Sequence, residues 1–201
     1  IIPITTSAYL TKVEKELNDL SKNIYNTRII AIGNYSDFKR FDLLVDVINE
    51  LNNEGKNLNL FIIGEDNSKE KINYNKVLAK KTEHIHLLGL RNNIADYMNF
   101  VDVLVISSSH EGMPLVVIEA MCMGLPIVST PAGGIVDMVE NNVNGFLSED
   151  FSKESLKIAL INFLKSSEEQ RRHISENNLN KYKLQYSIKY CAKNYVRIYE
   201  S

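Results

Sequence analysis

Short apolar runs rich in β-branched residues alternate along this chain with longer stretches whose apolar positions recur every three or four residues. The runs are RIIAIG (28–33), LNLFIIG (58–64), IHLLG (85–89), VDVLVIS (101–107), PIVST (126–130) and the shorter GFLS (145–148). A helical pattern follows each of the first five: KRFDLLVDVINELNNEG, then 68–81, 94–99, 115–123 and 135–139. Strands that are apolar at nearly every position belong to a sheet covered on both faces. Parallel strands need right-handed crossovers. The expected fold is therefore α/β, a Rossmann-like doubly wound parallel sheet of about six strands with C-terminal helices. From Ser152 onward the chain reads as polar helices. Leu156, Ala159, Leu160, Phe163 and Leu164 mark one apolar face, and Tyr190, Tyr195, Ile198 and Tyr199 mark an aromatic face on the last helix. Core packing is the first expectation for such a stripe.

Composition narrows the function. The chain has 201 residues, enough for one good core and a small extra element. Its net charge is -2, with both signs interspersed, so no face is marked for nucleic acid. Cys122 and Cys191 have neither metal spacing nor a pairing logic, which fits free thiols in a reducing compartment. No run approaches the roughly 20 apolar residues that span a bilayer. The start, IIPITTSAYL, lacks the basic segment of a signal peptide and reads as a piece of something longer.

In an open α/β sheet, ligands sit beyond the carboxyl ends of the strands. The informative positions are therefore Gly33-Asn34 with Lys39, Gly64-Glu65-Asp66, Gly89-Leu90-Arg91, 107–115 and 130–134. Several chemistries are absent. There is no GxxxxGK[ST] for a P-loop, no Gly-x-Gly-x-x-Gly after the first strand, no GxSxG elbow, and no Asp-x-Asp or other metal-ligand set. What remains is SSHEGMPLVVIEAMCMGLPIVST, with Glu111 and Glu119 eight positions apart and no cation nearby. Pro114 suits the first turn of a helix whose free NH groups, around Leu115 and Val116, would attract a phosphate. Gly112 lets the backbone approach a ligand closely. Two carboxylates flanking a phosphate seat suit a ligand with two hydroxyl-bearing rings, and Lys39 is placed to supply the cation. Glu119, set between VVI and AM, reads as a buried carboxylate marking a site.

The stretch HEGMPLVVIEAMCMGLPIVSTPAGGIVDMVENNVNGFL resembles the E-x7-E signature of the retaining GT-B glycosyltransferases of the family-four group. IAIGNYSDFKRFDLLVDVI resembles the same family's first strand, Gly turn and lysine, and HLLGLRNNIADYMNFVDVLVISS resembles its base-contacting turn. The resemblance covers about residues 27 to 150. It implies the C-terminal half of a GT-B fold: 1–26 as interdomain linker, 27–185 as the nucleotide-sugar-binding domain and 186–201 as the crossover helix. It implies that Lys39 binds the donor diphosphate and that Glu111 binds the transferred sugar, these two being the catalytic candidates. Backbone at Gly112 and Met113 would touch that sugar, Leu115 and Val116 NH would hold phosphate, Glu119 would bind ribose, and Leu90-Arg91 would meet the base. Asn34 stands where the family usually has a second phosphate-binding Arg, with Arg40 nearby. The implied donor is a UDP- or GDP-sugar, with no cofactor and no metal. The implied partner is an N-terminal acceptor domain of the same enzyme, through which peripheral membrane contact could arise. The implied location is the cytoplasm or the inner face of the membrane, and the implied setting is bacterial surface-polysaccharide synthesis. The alternatives are a non-catalytic nucleotide-binding module or partner subunit, and a GT-B-type nucleotide-sugar epimerase.

Overall fold

The computed structural model describes residues 7–21 and 26–200. Six strands form one parallel sheet: β1 (Thr27–Ile32), β2 (Leu58–Ile63), β3 (Ile85–Gly89), β4 (Val103–Ile106), β5 (Ile127–Ser129) and β6 (Phe146–Leu147). Their order across the sheet is β3-β2-β1-β4-β5-β6. The chain builds outward from β1 to one edge, then returns to the other side of β1 for β4. That reversal opens a crevice between the carboxyl ends of β1 and β4.

Strand residues alternate between two apolar layers, which is why every position of β2 is buried. Ile29, Ala31, Leu58, Leu60, Ile62, Val103 and Val105 face one layer. It is closed by α2 (Phe41–Asn53), α3 (Ile72–Ala79) and α7 (Lys153–Lys165). In α2 the buried residues Leu44, Val45, Ile48 and Leu51 follow the helical period. Ile30, Phe61, Ile63, Leu104 and Ile106 face the other layer. It is closed by α1 (Ser7–Ser21), α4 (Ile94–Met98), α5 (Leu115–Cys122) and α6 (Ile135–Met138). Among the described residues no helix is long and apolar enough to cross a membrane.

Two features differ from the sequence expectation. Within 1–26, read as linker, residues 7–21 form α1, and its Val13 and Leu17 are fully buried in the second apolar layer. Residues 1–6 and 22–25 lie outside the described residues. At the other end, α8 (Glu168–Lys181) leads through a π-helical turn, Tyr182–Tyr186, to α9 (Ile188–Tyr199). The aromatic stripe of α9 does not enter the core: this helix buries no residue, and Tyr195, Ile198 and Tyr199 are exposed. The α8 helix, in contrast, is stitched in by a buried amide pair. Asn178 donates to the Leu125 carbonyl at 3.0 Å and accepts from Asn144 at 3.1 Å.

Candidate active site

The crevice is lined by the β1–α2 loop on one side and the β4–α5 loop on the other. The first of these begins at Gly33, whose backbone runs against Gly64. A Cβ on Gly64 would lie 1.9 Å from the Gly33 carbonyl oxygen, so only glycine lets the ends of β1 and β2 approach this closely. The Lys39 side chain lies across Gly33, where a Cβ would meet its Cε at 2.8 Å.

The second loop is tied to the first at three points. Ser107 donates its hydroxyl to the Lys39 carbonyl at 2.7 Å, the Ser109 NH donates to the Phe38 carbonyl at 2.8 Å, and the Phe38 and His110 rings meet edge to face at 5.3 Å. The side chains then converge. Lys39 Nζ donates to Glu111 Oε1 at 2.6 Å, and the Ser108 hydroxyl donates to the same oxygen at 2.6 Å. The ion pair is largely withdrawn from water, with 23% of the lysine and 11% of the glutamate side chain exposed. Behind it, Thr130 donates to the Ser108 carbonyl at 2.5 Å. Gly133, with φ of +50°, presses so closely that a Cβ would sit 1.8 Å from the Glu111 carbonyl oxygen. The Gly134 NH donates to the Gly112 carbonyl at 3.1 Å.

Beyond Glu111 the chain turns into α5 with Pro114 as its N-cap. The Pro114 carbonyl takes the Val117 NH, and the NH groups of Leu115 and Val116 precede the first helical acceptor. Gly112, Met113 and Leu115 are exposed at this end. A cation, a carboxylate and a helix N-terminus thus share one rim, and that rim can seat an anion flanked by hydroxyl groups.

The other expected residues are more dispersed. Asn34 is exposed just past β1. Arg40, with φ of 51°, donates to the Phe151 carbonyl at 2.6 Å, so its charge is directed toward the loop after β6. Leu90 is exposed beyond β3, and the Arg91 side chain folds back on the turn, donating through Nη1 to the Leu90 carbonyl at 3.2 Å. It donates through Nε to the Tyr97 hydroxyl at 2.7 Å and pairs with Glu16 of α1 at 2.8 Å. The Tyr97 hydroxyl donates to Glu16 at 2.9 Å, and its pKa is pushed up to about 12, mainly by burial. This cluster, with partly exposed Arg91 and Glu16 over the buried Tyr97, fastens α1 to the β3–α4 turn. Glu16→Gln should cost about 0.5–1 kcal/mol in urea denaturation, as expected for a partly solvated ion pair.

Glu119 corrects the sequence expectation. The buried positions of α5 are Val117, Ala120 and Met121, and Glu119 falls on the opposite side of the helix, exposed. Its carboxyl nevertheless has a raised pKa through lost hydration. It makes no hydrogen bond or ion pair among the described residues.

Residues 13–181 match the family model described as "Glycosyl transferases group 1". The chain belongs to the group 1 glycosyl transferases. It is similar to an uncharacterized glycosyltransferase of Methanocaldococcus jannaschii, 28% identical over 173 residues that make up 85% of this chain and 47% of the relative. It is also similar to the Escherichia coli UDP-Gal:alpha-D-GlcNAc-diphosphoundecaprenol alpha-1,3-galactosyltransferase, 37% identical over 91 residues, or 45% of this chain and 23% of that enzyme. The crystal structure of Anabaena Alr3699/HepE in complex with UDP shares the fold. Its TM-score is 0.84 at 21% identity, over 98% of this chain and 53% of that one. This group 1 glycosyl transferase chain thus spans about half the length of the relatives it matches over most of its sequence. Lys39 and Glu111, both singled out in the sequence, are brought together in the crevice as an ion pair. The serines that hold them, Ser107 and Ser108, lie in the 107–115 stretch, where the sequence alone assigns them no role. The one signal for them is a run of hydroxyl residues at the end of a buried strand.

Proposed function

We propose that this chain is the donor-binding domain of a retaining glycosyltransferase, the C-terminal half of a GT-B enzyme whose acceptor is held by another domain. The observation that carries this is the Lys39–Glu111 pair across the β1/β4 crevice, beside the open N-terminus of α5. A nucleoside diphosphate-sugar has the matching sequence of groups: ribose, two phosphates and a second hydroxyl-rich ring. Lys39 and the Leu115 and Val116 NH groups take the diphosphate. Glu111 and the backbone of Gly112 and Met113 take the transferred sugar. Glu119 takes the ribose, and the Leu90-Arg91 turn lies toward the base, with Asn34 lending a neutral donor near the phosphates.

Charge grows on the diphosphate as the sugar departs, and preformed donors aimed at those oxygens lower the barrier without reorganising. Retention of the anomeric configuration, a UDP- or GDP-sugar as donor without a cofactor, and a place in bacterial surface-polysaccharide synthesis follow from the family resemblance. The similar Escherichia coli enzyme, whose name gives UDP-Gal as its donor, supports the nucleotide-sugar part of this reading. Isothermal calorimetry of the chain with UDP and with GDP tests the proposal. Saturable heat with one of them is expected, and silence from both at millimolar concentration would refute it.

A further inference from the structure

The two oxygens of the Glu111 carboxylate are not equivalent. Oε1 receives both Lys39 Nζ and the Ser108 hydroxyl, each at 2.6 Å, while Oε2 receives no donor among the described residues. A carboxylate held by one contact can turn about its terminal bond and offer either oxygen. One held by two donors on the same oxygen, each from a different loop, offers only the other. Ser108 is itself fixed: it is 1% exposed, and its carbonyl is clamped by the fully buried Thr130. Its neighbour Ser107 holds the Lys39 carbonyl, so a single dipeptide at the end of β4 sets both the cation's main chain and the carboxylate's orientation.

We infer that Ser108 is a positioning residue for sugar recognition: it pins Glu111 Oε1 and leaves Oε2, with two lone pairs, to accept hydroxyl groups of the transferred ring. The single hydroxyl proton of Ser108 is used on Glu111, so the serine acts through the carboxylate and not on the ligand. This inference rests on the donor-binding function proposed above.

Calorimetry on the whole chain tests it, with UDP, UDP-glucose, GDP and GDP-mannose as probes and Glu111→Gln as the reference variant. Ser108→Ala should weaken the nucleotide-sugar about three- to tenfold while leaving the matching nucleoside diphosphate within about twofold. Ser108→Thr, which keeps the hydroxyl, should preserve both affinities. A purely structural serine would lower both ligands in the same proportion. That result, or an undiminished nucleotide-sugar affinity in Ser108→Ala, overturns the inference even if Glu111→Gln loses the sugar. If Glu111→Gln leaves the ratio of nucleotide-sugar to nucleoside-diphosphate affinity unchanged, or no probe binds the unmodified chain, the donor-site assignment fails and the role of Ser108 falls with it.

Discussion

Lys39→Ala should lower affinity for the bound nucleoside diphosphate by about ten- to a hundredfold and leave the corresponding nucleoside nearly unaffected. A charge-assisted hydrogen bond contributes about 1.5–3 kcal/mol, and each 1.4 kcal/mol is about a factor of ten. Two effects add in this site. The diphosphate loses its cation, and Glu111 loses the partner that now neutralises it at 2.6 Å, leaving an unpaired carboxylate facing the phosphates. Glu111→Gln should move diphosphate affinity the other way, because Lys39 is then released from its internal anion. Titrations of both variants with nucleoside and nucleotide separate the cases. Equal losses for the two ligands in Lys39→Ala would mean that the lysine only braces the loops.

Gly133→Ala should be a strongly disruptive single-methyl change near the site, lowering unfolding free energy by about 2–5 kcal/mol. Two penalties combine. A side chain at φ of +50° is strained by about 1–2 kcal/mol. The added Cβ would also stand 1.8 Å from the Glu111 carbonyl oxygen, a backbone atom with no rotamer to yield. The loop must move, at an overpacking cost of about 1–3 kcal/mol, and Glu111 moves with it. Gly55 provides the control: its φ is also positive, at +83°, but a Cβ there meets nothing within 4 Å. Gly55→Ala should therefore show the strain alone. Urea denaturation of the two variants reads the difference. A Gly133→Ala cost no larger than that of Gly55→Ala would show that the loops are not held in this close approach.

The sheet is legible in the sequence because a strand buried on both faces must be apolar almost throughout, as Leu60, Phe61, Ile62 and Ile63 are. The helix α1 is less legible. Its buried apolar residues, Val13 and Leu17, sit one turn apart amid charges, a pattern shared by many solvated segments. Glu119 misleads because its neighbours in sequence are apolar. The helical period, not adjacency, decides which side it takes, and it lies two residues from Val117 on the far side from Ala120 and Met121. The aromatic stripe of α9 shows what the helix presents and not what meets it. The Lys39–Glu111 pair could be suspected from residue types. Its closure through Ser108 could not, since a hydroxyl in a loop has many local partners and only the fold selects one.

The two halves of the crevice come from parts of the chain far apart in sequence. Lys39 and Glu111 are 72 residues apart, and their loops meet only after β4 has paired with β1, through Ile29 with Val103 and Ile30 with Leu104. Pairings between β1, β2 and β3 close shorter loops and carry a smaller entropic cost. A chain with only that part of the sheet formed has the cation without the carboxylate and no α5 to accept the phosphates. On the proposed function, nucleotide binding requires the completed sheet, and a nucleotide present during refolding should stabilise the finished sheet alone, without favouring any partly formed state.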